Sequence, residues 1–308
     1  MSTTQPSLNI KVPPPQLTYF TFADNALILC FHTVTISFYT RILYCYYFKR
    51  NRLKTSSMAN SLIIFLWTHL ICAVSDVPYH TYVVVKWNPA NRENYDPYVL
   101  YWTAISVRIY YNLTSFSVLL LSLDRLLALR FFHHHKYKNL EKWFLRVTVI
   151  FLLGYSIYPI ADYLMVLPLE KEKLRYCQSE SCVAASSRTS FVPFLRLVTV
   201  VINLLISAYF LWTFRKVGKK ERVNIRVVKM AIVLEIAFNA IPTVMVMVLL
   251  RLKFEVFNNA GPILTVLITA NIAFSAAYTW FILVRRSKDA MISVVSTTQI
   301  NPRIMSRI

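Results

Sequence analysis

Glycine is scarce in this chain, whose 308 residues include only Gly154, Gly218 and Gly261. Nucleotide-binding loops and the G-x-S-x-G elbow of serine hydrolases need several glycines close together, because the backbone there turns sharply or approaches a phosphate. Three glycines so far apart cannot form any of these motifs. The sequence therefore excludes Rossmann-type, P-loop and nucleophile-elbow enzymes.

Acidic residues are also few, with 14 Asp and Glu against 34 Lys and Arg. The acids in or beside apolar stretches, Asp76, Asp124, Asp162 and Glu235, show no spacing that argues for a catalytic pair. The histidine run 133–135 lies beside basic residues in a predicted loop, and we interpret it as a lipid-facing basic loop. We predict no enzyme activity, no cofactor and no metal site.

Long apolar runs are what the sequence has in abundance: 56% of its residues are hydrophobic and its mean hydropathy is +0.46. A membrane-spanning helix needs roughly 20 apolar residues. Seven stretches meet that length, at 24–48, 59–84, 98–124, 143–166, 190–214, 224–250 and 262–284. We predict an all-α bundle of seven transmembrane helices over 24–284, preceded by an extracellular segment 1–23 and followed by a cytoplasmic tail 285–308.

The basic residues predict the orientation of this bundle. Most of them follow the first, third and fifth spans or lie in the tail. Since Lys and Arg concentrate in cytoplasmic loops, we expect the N-terminus outside and the C-terminus in the cytoplasm. The basic loops then face anionic headgroups, so we expect membrane lipids and not nucleic acid as partners. Residues 1–23 lack the pattern of a signal peptide, so the first span is expected to direct insertion.

Two cysteines, Cys177 and Cys182, fall in the predicted outer loop between the fourth and fifth spans. They are either two free thiols or one small disulfide. We predict the disulfide, because the extracellular environment is oxidising.

Charged residues inside a bilayer are costly, so each one is a candidate for function. Asp76 and Arg108 both lie roughly 12–15 Å from the predicted outer ends of their helices, and could pair. Asp162 and Arg196 could form a second pair. Such pairs either fix helix packing or line a ligand cavity, and the sequence leaves both interpretations open.

The sixth span carries Glu235 near its middle and Pro242 beyond it. We expect Glu235 to bond Asn203 or Asn239 as a polar clamp between helices. We also expect Pro242 to kink the helix, since proline has no backbone N–H to donate.

The third span ends in Ser122-Leu123-Asp124-Arg125-Leu126. Asp124 lies roughly 39 Å along the helix from its outer start, which reaches the inner face. An adjacent acid and arginine can hold each other until a partner competes for the arginine. The pair resembles the Asp-Arg-Tyr switch of rhodopsin-like G-protein-coupled receptors, although Leu126 replaces the aromatic residue.

Other features depart from that receptor family. The seventh span has Asn271 and Tyr278 but no Asn-Pro-x-x-Tyr proline, and it has no lysine for a retinal Schiff base. The outer end of the third span has no cysteine for the disulfide that this family forms with its second outer loop.

The whole chain is similar to nematode serpentine chemoreceptors of the gamma-type superfamily, class xa. The resemblance rests on length, short loops, the Ser-Leu-Asp-Arg stretch 122–125, the aromatic and basic segment 131–143, and the stretch 56–76. It implies a plasma-membrane receptor, often in a sensory cilium, that detects a small environmental molecule or pheromone and activates a heterotrimeric G protein.

The resemblance leads to a hypothesis for the mechanism. An agonist enters from outside, and Asp76 or Arg108 meets one of its polar groups. Binding then frees Arg125 from Asp124 at the inner face. A transporter or channel is the alternative, which the intramembrane charges support, and the oligomeric state stays open. Aromatic side chains expected to contact the agonist are Tyr79, Tyr101, Trp102, Phe191 and Phe194.

Overall fold

The structure, a computed structural model, describes residues 15–48, 60–88, 95–131, 137–165, 167, 191–217, 223–251 and 263–299. Within these ranges the regular elements are helices and there is no β-strand. Seven helical segments are long and apolar enough to cross a membrane. The predicted all-α bundle of seven helices is therefore confirmed, and the chain is a multi-pass membrane protein.

The seven helices follow the predicted spans closely. The sixth helix, α6, consists of two α-helical parts, Val223–Glu235 and Ile241–Arg251, joined by a π turn, Ile236–Ala240. The others are α1 Pro15–Phe48, α2 Asn60–Val85, α3 Pro97–Phe131, α4 Tyr137–Leu164, α5 Phe191–Val217 and α7 Ile263–Gln299.

Helices α1 and α7 extend furthest beyond the predicted spans, while α3 continues to Phe131 and α4 begins earlier, at Tyr137. Helix α1 begins at Pro15, within the segment expected to precede the bundle. Proline suits the first position of a helix for two reasons. Its fixed φ angle is already helical, and the N–H that it lacks would have no intrahelical acceptor at that position. Helix α7 continues to Gln299, within the predicted tail.

Helix α3 is the centre of the bundle, since it packs against α2, α4, α5 and α6, while α1 packs against α2 and α7. Fully buried side chains such as Tyr39, Tyr110, Phe210 and Ile232 fill the space between the helices. Helix α4 instead exposes large apolar side chains along one side, as a helix facing lipid requires. These exposed side chains are Ile150, Phe151, Leu153 and Ile157.

The connection from α2 to α3 is held by two tyrosines. The Tyr95 hydroxyl donates to the Val83 carbonyl at 3.0 Å, and the Asp96 N–H donates to the Tyr82 hydroxyl oxygen at 2.7 Å. Burial raises the pKa of Tyr95 to about 12. The hydroxyl therefore keeps its proton at neutral pH and remains a donor.

Asp96 caps the start of α3, where its Oδ1 accepts the backbone N–H groups of Tyr98 at 2.8 Å and Val99 at 3.3 Å. We expect Asp96→Ala to lower the free energy of unfolding by about 1 kcal/mol, because these donors lose their acceptor. Thermal unfolding of the purified protein in detergent would measure this. Asp96→Asn is the matched control: an equal loss in both variants would show that the cap is not the cause.

The predicted kink site in α6 carries the π turn Ile236–Ala240, which ends two residues before Pro242. The Ile241 N–H bonds to the Ile236 carbonyl, five residues earlier. Pro242 has no N–H for the carbonyl four residues before it, and its ring would crowd that carbonyl in a regular helix. The wider turn accommodates the proline and leaves Asn239 buried within the bundle.

Candidate functional site

Among the described residues, buried and partly buried polar side chains form three clusters between the helices. We call them the His-Asp cluster, the central network and the Asp-Arg cluster. The His-Asp cluster contains Asn25, His32, Asp76, His80 and Ser106. The central network contains Ser115, Arg196, Glu235, Asn239, Thr243 and Asn271. The Asp-Arg cluster contains Ser61, Asp124 and Arg125.

The His-Asp cluster is built around Asp76, which has no solvent exposure. Its Oδ2 lies 3.0 Å from His32 Nε2 and 3.2 Å from His80 Nε2, and Ser106 Oγ donates to Oδ1 at 3.3 Å. His80 Nδ1 lies 2.6 Å from Asn25 Oδ1. One carboxylate thus connects α1, α2 and α3.

The similar predicted depths of Asp76 and Arg108 allowed a pair between them, but the structure does not contain that pair. The ion-pair partners of Asp76 are the two histidines. The Arg108 guanidinium lies over the ring of Tyr163, 5.1 Å from its centroid. Tyr101 stacks on the same ring at 4.2 Å and donates its hydroxyl to the Tyr163 carbonyl oxygen. The rotation of the helices, which depth does not determine, directs the Asp76 carboxylate at His32 of α1 and Ser106 of α3.

The structure brings together part of the predicted ligand-contact set. Tyr79 and Tyr101 are buried in one apolar group with Tyr163. Trp102 is 51% exposed, on a different side of α3 from the fully buried Tyr101. Tyr79, Tyr101 and Arg108 therefore remain near one another, whereas Trp102 faces away from the core.

Several predicted residues cannot be compared with the structure. Phe191 and Phe194 belong to the first turn of α5, but their side chains, and that of Asp162, lie outside the described part of the molecule. Cys177, Cys182 and the histidine run 133–135 also lie outside the described residues.

The central network links α3, α5, α6 and α7. Glu235, 3% exposed, accepts a hydrogen bond from Asn239 Nδ2 at 2.7 Å and one from Asn271 Nδ2 at 2.8 Å. The expected bond between Glu235 and Asn239 is confirmed. Asn239 Nδ2 also donates to Ser115 Oγ at 2.5 Å, and Arg196 Nη2 donates to Asn239 Oδ1 at 3.0 Å.

Arg196 contacts both α6 and α3. Besides Asn239, its guanidinium donates to Thr243 Oγ1 at 3.2 Å and lies 4.9 Å from the centroid of the Tyr111 ring. Thr243 and Asn239 both belong to α6, one on each side of the junction between the π turn and Ile241–Arg251. Arg196 of α5 thus holds the irregular part of α6 against α3.

We expect Glu235→Ala to lower the free energy of unfolding by about 2 kcal/mol, because two buried amides lose their acceptor. Thermal unfolding in detergent would measure the loss. The double variant with Asn271→Ala should lose less than the sum of the two single variants, since the residues share a bond. Additive losses would contradict a direct interaction between Glu235 and Asn271.

The Asp-Arg cluster lies where α3 approaches the start of α2. Arg125 Nε donates to Asp124 Oδ2 at 2.9 Å, and its Nη2 contacts the same oxygen. Ser61 Oγ donates to Asp124 Oδ2 at 2.5 Å and accepts from Arg125 Nη2 at 3.1 Å. The contact within the Asp-Arg pair is confirmed, and α2 supplies a third side chain that the sequence had not indicated.

Sequence reasoning also missed His32, His80 and Asn25. One signal was available, because His80 follows Asp76 by four residues and residues at that spacing lie on one face of a helix. No comparable signal identified His32 or Asn25, since their contacts depend on how α1 is rotated against α2.

Comparisons with models of protein families, with curated proteins and with solved structures gave no match to this chain. The functional interpretation therefore rests on the three clusters.

Proposed function

We propose that the protein is a chemosensory G-protein-coupled receptor of the plasma membrane. In this proposal it binds a small environmental molecule or pheromone from outside and activates a heterotrimeric G protein. The resemblance to nematode serpentine chemoreceptors supplies the class of ligand and the partner. The three clusters that support it involve successive positions along α3, at Ser106, Ser115 and Asp124.

The observation that carries the proposal is the Asp-Arg cluster. Arg125 belongs to the third of seven membrane-spanning helices, near its C-terminal end, and bonds with the adjacent acid and with Ser61 of α2. An arginine held this way has two available states, bound to its own helix or released to a partner. A protein that binds the released state shifts the population towards it.

The central network includes Ser115 of α3, which lies along the helix between the proposed ligand region and this switch. It joins four helices through short bonds between side chains, and it surrounds the π turn of α6. Irregular turns of this kind occur frequently at functional sites, because they interrupt the regular helical bonding. A small displacement of α5 at Arg196 would therefore be transmitted directly to α6 and α3.

The proposed ligand region lies at the other end of α3, around Tyr79, Tyr101 and Arg108. Arg108 is 8% exposed and lies over the ring of Tyr163, so a cation and aromatic faces occur together within the bundle. Such a combination suits a small molecule with an aromatic or anionic group.

The test is agonist-driven nucleotide exchange on G proteins, measured in cells that express the chain and are exposed to a diverse library of odorants and metabolites. The proposal predicts at least one agonist whose response requires surface expression of the chain. Concentration–response curves for Tyr101→Ala and Trp102→Ala would then locate the ligand. Because Tyr101 is buried and Trp102 faces away from the core, only the first variant should weaken the response.

A second measurement separates the receptor from the alternative of a transporter or channel. Purified protein reconstituted in liposomes would be tested for substrate or ion flux. Flux without nucleotide exchange would contradict the receptor proposal and favour transport.

A further inference from the structure

We propose that the His-Asp cluster is a binding site for one divalent transition-metal ion of the zinc type, which joins α1 to α2. His32 of α1 and Asp76 and His80 of α2 are the proposed ligands. This inference rests on the cluster alone and does not depend on the receptor function.

The three side chains already lie at distances that suit a shared ion. One ligand atom from each of them lies within 4.8 Å of the others, and all three residues are buried. The two Nε2 atoms are 3.0 and 3.2 Å from Asp76 Oδ2. Tetrahedral zinc has bonds of roughly 2.0–2.1 Å to nitrogen, which separates its ligand atoms by about 3.3 Å. Small adjustments of the side chains would therefore complete a three-ligand site.

Asn25 orients the proposed ligand His80 by contacting the ring nitrogen that does not face Asp76. Its Nδ2 donates to the Thr21 carbonyl at 2.6 Å, so its Oδ1 is the atom that faces His80 Nδ1 at 2.6 Å. His80 must then carry its proton on Nδ1 and direct Nε2 towards Asp76. Metal-binding histidines usually donate their second ring nitrogen to an oxygen in this way, which fixes the ring.

With Nδ1 bonded to Asn25, His80 directs its Nε2 at Asp76 Oδ2, 3.2 Å away. A nitrogen lone pair and a carboxylate oxygen that face each other at this distance are two donors for one metal ion. His32 adds a second nitrogen on the same oxygen, while its Nδ1 is buried without a hydrogen-bond partner in the described part of the chain.

The donor set selects the kind of ion. Two imidazoles and one carboxylate suit zinc and similar transition metals, whereas calcium and magnesium prefer sites made of oxygen atoms. Because His32 and the other two ligands belong to different helices, a bound ion would hold the two helices together. Removal of the ion should therefore lower the free energy of unfolding.

The experiment uses the full chain, purified in detergent and stripped of metal with a chelator that is then removed. Co²⁺ is added first, because tetrahedral Co²⁺ absorbs visible light, and Zn²⁺ is then titrated in. We expect one Co²⁺ per chain with tetrahedral absorption, displacement by Zn²⁺, and a higher Tm at saturating Zn²⁺. Absence of both the absorption and the Tm shift in the unaltered protein would overturn the proposal.

Variants identify the site. His32→Ala and His80→Ala should each weaken Co²⁺ binding by more than tenfold, and Asn25→Ala by roughly 10- to 100-fold, as expected for a residue that orients a ligand. His69→Ala is the matched control, since His69 is also buried in α2 but bonds with Ser117 at 2.9 Å. The proposal is wrong if His80→Ala binds as tightly as the unaltered chain, or if His69→Ala loses the ion equally.

Discussion

Asp76→Ala is expected to lower the free energy of unfolding by about 3–5 kcal/mol, because it removes the buried carboxylate that two buried histidines share. His32 and His80 both depend on the same carboxylate oxygen, and neither is exposed to solvent. Ser106 of α3 loses its bond to Asp76 as well, and keeps the one to the Thr103 carbonyl oxygen at 2.7 Å. Unfolding of the metal-free protein in detergent, followed by tryptophan fluorescence, would measure the loss.

Asp24→Ala is the control for this prediction. Asp24 is an acid of α1 whose Oδ2 is buried without a hydrogen-bond partner among the described residues, so its removal should leave stability almost unchanged. The double variant Asp76→Ala, His32→Ala should lose less than the two single variants together. Equal losses for Asp24→Ala and Asp76→Ala would show that removal of any acid from the bundle destabilises it.

Hydropathy was sufficient to predict the seven helices, because the length of an apolar run is a property of the sequence alone. The ends were harder to predict. Pro15 was assigned to the extracellular segment before the first helix, yet proline is well tolerated in the first turn of a helix. The continuation of α7 to Gln299 has no hydropathy signal, since the apolar run ends near Val284.

The rotation of each helix could not be predicted from depth. Tyr101 and Trp102 are adjacent, so they point about 100° apart on a helix and only one can be directed at the core. The structure buries Tyr101 and exposes Trp102. Depth alone also suggested that Asp76 and Arg108 could pair, although Asp76 instead contacts two histidines and Ser106 of α3.

Local spacing predicted contacts within one helix better than contacts between helices. Asn239 follows Glu235 by four residues, and their bond was expected. Asn271 and Ser115 come from α7 and α3, and their place in the network depends on how three helices pack. The same contrast separates Asp124 and Arg125, which are adjacent, from Ser61, which lies more than sixty residues earlier.

Arg125→Ala is expected to reduce agonist-driven nucleotide exchange at least tenfold while the protein still reaches the cell surface. The reason is that the proposed G protein would bind the released guanidinium, and alanine offers no charge to bind. The measurement is exchange per surface receptor, with expression counted separately. Arg41→Ala is the matched control, because Arg41 is an exposed arginine of α1 and should not affect exchange. Normal exchange by Arg125→Ala would rule out the switch.

Ser61→Ala should act in the opposite direction on the same switch. It removes the side chain that donates to Asp124 and accepts from Arg125, and so weakens the held state without altering either charge. A net loss of about 1 kcal/mol corresponds to a shift of roughly fivefold towards the released state. Basal exchange should therefore rise in Ser61→Ala, and the rise should vanish when Arg125→Ala is added. A fall in basal exchange would mean that Ser61 supports the active state, and that the cluster does not hold Arg125 back.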